Sequence, residues 1–334
     1  MPLALPSTRI IAPVALLALL ALAGCKFGWS DTGEDTDENA VKTRSYDYEA
    51  SSMLLSDNGR QGIISTSVGV VVFDTTTGDA TATTPPDDFA QPTVEDWVGD
   101  KVAIVDRSAD AGVFLWQPGE LGYELREDDE GANASNALGF DGGLAWIGRR
   151  AENCRINREG LELVTLQPCG FIRDLDIATD GTLFLGYDDD AKWTGVLRID
   201  PDGAEARLDV PMDIIAWDNV RNVLYTATAD TTRVEAVTAD GGPVFSVDLP
   251  GTVTDIAALE AEGLLAVLAV QGADAFVHIV DQYSGLEVTT IEAAPASTSL
   301  AVSADASTLS IIQNERMAIV TVDWDKLLTA DTGI

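Results

Sequence analysis

The chain is poor in basic residues and histidine, and each shortage argues against a class of function. Twenty lysine and arginine residues face 55 aspartate and glutamate residues, so the formal net charge is −35 over 334 residues. Such a surface repels nucleic acid phosphates and anionic lipid head groups, and no nucleic acid partner is expected. The single histidine, His278, lies in the apolar run Ala275–Val280, where packing within a strand explains it better than a catalytic triad.

One long apolar run is present, and it stands near the N-terminus. Ile10–Ala23 is short for a membrane-spanning helix but has the length of a signal-peptide core. It ends in Leu22-Ala23-Gly24-Cys25, which resembles the bacterial lipobox. In that family the signal peptidase cuts before the cysteine, and the thiol carries a diacylglycerol. The resemblance implies a signal peptide over 1–24 and a lipid anchor at Cys25. Because Lys26 follows the cysteine instead of an inner-membrane retention aspartate, the resemblance to enteric lipoproteins implies an outer-membrane location, on the periplasmic or cell-surface side. An ordinary secretory signal with a chance cysteine is the alternative.

The segment after this cysteine lacks the apolar residues that a folded core needs. Five acids crowd into the eight residues from Asp31 to Glu38, among glycine, serine and threonine. Such a composition predicts a disordered tether, extended by its own charge. We therefore divide the chain into a signal peptide (1–24), an acidic tether (25–41), a folded domain (42–325) and a C-terminal tail (326–334).

The folded domain repeats one pattern of four short strands. Its clearest copies occupy Phe171–Pro250, where β-branched and apolar strands alternate with turns such as Thr179-Asp180-Gly181. Four antiparallel strands per unit, repeated about every 40 residues, are typical of a β-propeller blade. The sequence predicts an all-β protein with seven blades of four antiparallel strands. Equivalent first-strand positions are Ser52, Asp96, Asn136, Asp174, Asp213, Asp255 and Ser299.

The last repeat is incomplete, which predicts how the ring closes. No fourth strand follows Met317–Val322, and Lys42–Glu49 precedes the first blade without a partner of its own. A bare apolar strand at a sheet edge is a site of aggregation that soluble proteins avoid. We therefore expect Lys42–Glu49 to lie antiparallel on Met317–Val322 and to complete the last blade.

A second marker follows the third strand of several units and supports a family resemblance. It is an aspartate that opens a turn after two residues of the strand, in Val72-Phe73-Asp74, Arg198-Ile199-Asp200, Ile279-Val280-Asp281 and Thr321-Val322-Asp323. A turn glycine follows the first three, at Gly78, Gly203 and Gly285. The domain thus resembles the YVTN-type, WD40-like (quinoprotein-like) β-propeller repeats of bacterial extracytoplasmic proteins over roughly residues 42–325. The Gly-His and Trp-Asp pairs of WD40 repeats are absent. These motifs identify a blade rather than an activity.

Two cysteines remain in the folded domain, Cys154 and Cys169. In an exported protein such a pair is normally a disulfide. Closing a loop of this length stabilises a domain by roughly 3 kcal/mol. A metal site would need further soft ligands, so a structural disulfide is predicted.

The first-strand markers are the candidate binding residues, because the first strand of each blade lines the central channel. If their side chains face one mouth of the channel, their oxygens would form a site for a cation such as calcium. The alternative is that each side chain caps a nearby backbone amide. No catalytic residue and no other cofactor is predicted. The members of this channel-mouth cation site are Asp96, Asn136, Asp174, Asp213 and Asp255.

Two functions remain open. The first is a lipid-anchored, non-enzymatic scaffold that binds a protein or an envelope polymer. A version of it resembles the eight-bladed propeller lipoprotein of the outer-membrane barrel assembly machinery. The second is a calcium-dependent hydrolase or lactonase that uses the channel carboxylates. The absence of a catalytic constellation and the wide acidic surface favour the scaffold.

Overall fold

The protein is a seven-bladed β-propeller. The computed structural model describes residues 40–330, apart from 47–49, 68, 85–88, 90–91, 107–111, 121, 128–132, 141–142, 151–152, 159–160, 168, 190–191 and 314–315. Seven sheets of four antiparallel strands surround the channel, as predicted. An eight-bladed ring is thereby wrong for this chain. The signal peptide, Cys25 and the tether up to residue 39 lie outside the described residues.

Six blades are each built from four consecutive strands, running from the channel outward. Blade 1 has β2 (Ser52–Leu55), β3 (Gln61–Thr66), β4 (Gly69–Asp74) and β5 (Ala80–Thr83); blade 2 has β6 (Pro92–Val98), β7 (Lys101–Asp106), β8 (Gly112–Trp116) and β9 (Tyr123–Glu127); blade 3 has β10 (Asn133–Phe140), β11 (Gly143–Arg150), β12 (Asn153–Arg158) and β13 (Leu161–Leu166). Blade 4 has β14 (Phe171–Ile177), β15 (Leu183–Asp188), β16 (Thr194–Ile199) and β17 (Glu205–Leu208); blade 5 has β18 (Ile214–Asp218), β19 (Val223–Ala227), β20 (Arg233–Thr238) and β21 (Pro243–Asp248); blade 6 has β22 (Thr252–Leu259), β23 (Leu264–Gln271), β24 (Asp274–Asp281) and β25 (Glu287–Ala293).

Blade 7 joins the two ends of the described chain. Its strands are β26 (Ser297–Val302), β27 (Thr308–Gln313), β28 (Arg316–Val322) and, on the outside, β1 (Val41–Tyr46). β1 pairs antiparallel with β28 from Val41 opposite Val322 to Tyr46 opposite Met317. The predicted closure is confirmed, and the strand begins at Val41, one residue before the predicted domain boundary. Residues 47–49 of the predicted strand lie outside the described residues.

The core lies between the blades, because each sheet is covered on both faces. β18 shows the principle: all five of its residues are buried. Ile214 and Ala216 pack with blade 6, whereas Ile215 and Trp217 pack with blade 4. A strand buried on both faces reads as an unbroken apolar run, which is why this segment shows no polar alternation.

The predicted aspartate–glycine markers are turns. The Oδ1 atom of Asp74 accepts the backbone N–H groups of Thr76 and Thr77 at 2.7 and 2.8 Å, and Gly78 has a φ of 76°. The aspartate thus satisfies the turn backbone, and glycine adopts the left-handed conformation without strain. We use the name turn face for the side of the ring formed by the turns that join first to second strands and third to fourth strands.

The segment after β28 includes a helix that the sequence analysis did not predict. After β28, Asp323 does not open a hairpin but accepts the N–H of Lys326 at 3.2 Å, which begins helix α1 (Trp324–Ala330). Trp324 is buried and donates its indole N–H to the carbonyl oxygen of Ala306 at 2.7 Å. The first part of the segment 326–334 is therefore helical, and α1 covers the core between blades 6 and 7. Within the described part of the chain, no helix has the length and apolarity to cross a membrane.

Candidate functional site

Most of the predicted first-strand markers lie at equivalent places on the first strands of their blades. Five of them directly follow a β-bulge that shifts the register of the first strand. A bulge turns the side chain that follows it away from its normal direction. Ser52 is the first residue of β2, and Asp213 precedes β18 instead of lying within it. The markers that follow a bulge are Asp96, Asn136, Asp174, Asp255 and Ser299.

Three of these markers join neighbouring blades through their carboxylates. In each, Oδ1 accepts the N–H of the next residue, at 2.7 to 2.9 Å. Oδ2 accepts an N–H from the first strand of the following blade, so one side chain satisfies two amides at once. These bonds between blades run from Gly139 to Asp96 (2.8 Å), from Ile215 to Asp174 (2.8 Å) and from Leu300 to Asp255 (2.6 Å).

A fourth carboxylate of the same kind was missed by the sequence analysis. The Oδ2 atom of Asp176 accepts the N–H of Trp217 in the next blade at 2.6 Å, and Oδ1 accepts the N–H of Ile177 at 2.7 Å. Its signal was its position two residues after Asp174, because alternate residues of a strand point to the same side. Blade 4 therefore holds blade 5 with two aspartates.

Blade 1 achieves the same contact with hydroxyl groups. The N–H of Val94 in blade 2 donates to Ser52 Oγ at 2.9 Å and to Ser65 Oγ at 2.8 Å, and the two hydroxyls are 2.6 Å apart. A serine therefore replaces the aspartate where a second hydroxyl stands beside it. The recurring feature of the first strand is an acceptor for the next blade, and its chemical type varies.

The first strands approach each other closely where these bonds form. A Cβ atom on Gly139 would collide with the carbonyl oxygen of Trp97 in blade 2. A glycine at this position lets its own N–H reach the carboxylate of Asp96. A side chain there would push blade 3 away from blade 2.

Burial raises the pKa of each of these carboxyl groups, although each also accepts two amides that lower it. The pKa of Asp174 and of Asp176 is raised to about 7, and that of Asp96 and of Asp255 to about 6. The charge of Asp255 adds to the pKa of Asp174, and the charges of Asp96 and Glu260 add to that of Asp176. The carboxylates of several blades therefore sense one another around the channel.

The aspartates that follow a bulge therefore cap backbone amides, which was the alternative to a cation site. Asp213 also caps a backbone amide, that of Ala229 at 2.9 Å, but within its own blade. Asn136 lies half-buried on β10. Among the described residues, no group of three or more histidine, cysteine or acidic side chains is arranged to hold a metal ion. Calcium binding at the channel mouth stays a prediction from the sequence.

His278 is a buried residue of β24. It is 2% exposed, and its Nδ1 lies 3.1 Å from Glu287 Oε1 on the adjacent strand. It is paired with Val267 of β23, whose side chain lies in the core between blades 5 and 6. This placement agrees with a packing role.

The two cysteines of the folded domain form the predicted disulfide. Cys154 on β12 and Cys169, just after β13, are bonded, and their Cα atoms are 4.7 Å apart. Both side chains are buried in the core that blades 3 and 4 share. The disulfide therefore ties the end of blade 3 to the connection that enters blade 4.

The turn face carries two surface features. Between blades 1 and 2 lies an open polar groove of about 660 Å³, lined among others by Asp57, Arg60, Trp97, Asp100 and Gln117. At blades 5 and 6, the three most exposed large apolar side chains of the described residues stand on turns. They are Tyr283 (76% exposed), Val220 (68%) and Leu286 (68%).

Comparison with known proteins supports the fold. No protein-family model and no curated protein matches the chain. The structure is similar to the WD40 repeats of RRP9, with a TM-score of 0.65 and 11% identity over 85% of this chain and 98% of that one. It is similar to U3-55K to the same extent, with a TM-score of 0.64, 11% identity and the same coverage. The chain therefore has the WD40-type propeller fold.

Proposed function

We propose that this chain is a lipid-anchored β-propeller of the cell envelope that binds a partner protein and is not an enzyme. The exposed apolar side chains Val220, Tyr283 and Leu286 carry this proposal. Large apolar groups gathered on rigid turns are typical of protein interaction sites. The channel carboxylates agree with a non-enzymatic role, because their oxygens accept hydrogen bonds from backbone amides and thereby join neighbouring blades.

The position of β1 supports an anchor on the turn face. The N–H of Asp323 donates to the carbonyl oxygen of Ala40 at 2.8 Å, so the chain enters β1 beside the end of β28, where the third strand reaches the turn face. The proposed lipid on Cys25 lies 16 residues before Val41. A fully extended chain of this length spans at most about 55 Å. A segment of this length leaves space between the membrane and the turn face for a bound partner protein.

A second class of partner is an envelope polymer, and the polar groove between blades 1 and 2 favours it. Its volume is within the range of ligand sites, and amide, carboxylate and guanidinium groups line it beside Trp97. A third proposal, the calcium-dependent hydrolase, would require the channel aspartates to exchange backbone amides for the ion.

Co-purification tests the scaffold. The full chain and its Cys25→Ser variant are expressed at native level, and their partners are quantified after gentle solubilisation. We expect one protein in stoichiometric amount with both forms, and rebinding from purified components. Recovery of the chain alone, with stoichiometric calcium and lactone hydrolysis by the purified protein, would replace the scaffold by the hydrolase. Binding to isolated envelope polymer, lost in Trp97→Ala, would favour the second class of partner.

A further inference from the structure

We propose that Val220, Tyr283 and Leu286, together with Arg221, form the docking site for a basic protein segment that carries an apolar anchor residue. This inference rests on the proposed function and gives it a location and a partner chemistry. We call these four residues the blade 5–6 patch.

The patch is continuous although its residues come from two blades. Val220 and Arg221 lie on the turn between β18 and β19, and Tyr283 and Leu286 lie on the turn between β24 and β25. The guanidinium carbon of Arg221 lies 4.2 Å from the ring centroid of Tyr283. The same guanidinium donates to the carbonyl oxygen of Gln282. Arg221 therefore links the two turns and supports one face of the exposed tyrosine.

Hydrogen bonds to residues beneath the surface hold the two turns of the patch in place. The Oδ1 atom of Asp218, a fully buried residue, accepts the N–H of Arg221 at 2.8 Å. The side chain of Gln282, also fully buried, donates to the carbonyl oxygen of Leu264 at 2.8 Å. Asp281 accepts the N–H groups of Tyr283 and Ser284 through Oδ1, at 3.1 and 2.7 Å. Side chains on turns that are already ordered lose little conformational entropy when a partner binds.

Two residues of the patch, Tyr283 and Arg221, are of types that often dominate the binding energy of an interface. Tyrosine and arginine are enriched among interface hot spots, and a tyrosine exposes a large amphipathic surface with few rotatable bonds. Leu286 and Val220, each 68% exposed, add apolar area on the same two turns. The centre of such an interface would be the ring of Tyr283, with its stacked guanidinium as the polar component.

Charge around the patch decides the partner's chemistry. The two turns of the patch and the neighbouring turn between β22 and β23, with their flanking residues (218–222, 260–263 and 281–287), contain one base and, besides the buried Asp218, four acids. The base is Arg221, which is already committed to Tyr283 and Gln282. Glu262 is exposed beside Gly263, where an added Cβ would lie 3.3 Å from the Tyr283 ring. An acidic rim attracts a lysine- or arginine-rich segment.

The same charges disfavour the other occupants. A second copy of this chain, with its net charge of −35, would be repelled. Anionic lipid head groups would be repelled for the same reason. A cationic protein segment with one apolar side chain for Tyr283 and Leu286 fits both the apolar surface and the charge of the patch.

Site-specific photocrosslinking in the full chain tests this location. A photoreactive phenylalanine analogue replaces Tyr283, and Phe171 provides a matched control position. Phe171 is an aromatic side chain with 48% exposure, it lies beneath the guanidinium of Arg173 at 5.6 Å, and it begins a first strand on the face opposite the turn face. We expect one protein adduct from position 283, through a lysine- or arginine-rich peptide, and none from position 171.

Substitutions then measure the contribution of each feature to binding of the captured partner. Tyr283→Ala should weaken binding at least tenfold, Tyr283→Phe should retain most of it, and Glu262→Lys should weaken it and reduce its salt dependence. The melting temperature of Tyr283→Ala should match that of the wild type, because its side chain is exposed.

The outcomes separate this inference from the proposed function. An adduct from position 171 alone, or a co-purifying partner with no adduct at position 283, leaves the scaffold intact and overturns the patch. A lipid adduct, an adduct with a second copy of the chain, or an acidic crosslinked peptide also overturns it. Absence of any partner in co-purification contradicts the scaffold itself.

Discussion

Removal of the Tyr46 side chain should weaken the joint between the last and first blades of the ring. Tyr46 ends β1 in blade 7, is 8% exposed, and packs on Phe73 of blade 1 with ring centroids 5.9 Å apart. Its hydroxyl donates to the carbonyl oxygen of Thr75 at 2.8 Å, also in blade 1. An added Cβ on Gly78 would collide with its ring, so the turn of blade 1 lies directly against it. Tyr46 is therefore one of the buried side chains that join blade 7 to blade 1.

The contacts of Tyr46 predict different losses of unfolding free energy for two substitutions. Tyr46→Phe keeps the ring contacts and loses the hydrogen bond to Thr75, which should lower the free energy of unfolding by about 1 kcal/mol. Tyr46→Ala also removes the buried ring and leaves a cavity, at a cost of about 3–5 kcal/mol. The exposed Tyr283→Ala serves as the matched control and should change stability by less than about 0.5 kcal/mol.

Denaturant unfolding, followed by tryptophan fluorescence, measures these differences, and two deletions extend the series. Deletion of 26–40 leaves β1 intact and should have little effect. Deletion of 26–46 removes β1 and exposes the apolar edge of β28, which should cause a large loss of stability or aggregation. Equal stability of the two deletions, or equal costs of Tyr46→Phe and Tyr46→Ala, would refute the closing role of β1.

Three further predictions concern the disulfide, the channel acids and the anchor. Cys154→Ser should lower the free energy of unfolding by about 3 kcal/mol, and non-reduced peptide mapping should show the Cys154–Cys169 link in the wild type; two freely alkylating thiols would contradict it. The raised pKa of Asp176, about 7, means that the native state binds a proton that the unfolded state has released. Stability should therefore fall as pH rises from about 4 to 7, by up to about 1.4 kcal/mol per pH unit for this carboxyl group. Asp176→Asn should flatten the pH dependence of the free energy of unfolding and the exposed control Asp100→Asn should not; an unchanged slope in Asp176→Asn would reject the raised pKa. Cys25→Ser should move the chain from the detergent phase to the soluble envelope fraction, and equal partitioning of both forms would contradict lipidation.

Local patterns explain which parts of the fold were predictable. A blade is four short strands joined by tight turns, so its signals lie within about 40 residues and repeat. Asp74 bonds amides only two and three residues away, and the sequence shows this turn directly. Closure by β1 could be predicted because the last repeat lacks a fourth strand and the segment before the first blade has no other partner. The disulfide followed from there being two cysteines in the folded domain.

The chemistry of the channel depended on distance in space. The sequence placed Asp174 on a first strand, but whether its carboxylate faces a cation or an amide depends on a β-bulge and on the neighbouring blade. That blade supplies the N–H of Ile215, 41 residues away. Asp176 was overlooked although it follows Asp174 by two residues, because only one marker was sought on each first strand and the amide that Asp176 accepts belongs to the next blade. Helix α1 was missed because Asp323 opens either a hairpin or a helix, and packing of Trp324 decides between them.

The number of blades and their strand order could be read from the sequence, because periodicity and turn chemistry act between residues close along the chain, and the closure of the ring followed from the strand that the last repeat lacks. The folded structure was needed to show that Asp96, Asp174 and Asp255 join blades, and that Arg221 of blade 5 stacks on Tyr283 of blade 6. These contacts join residues about 40 to 60 positions apart, whose meeting depends on the angle between neighbouring blades. That angle is set by the packing of all the apolar faces between them, and no single segment encodes it.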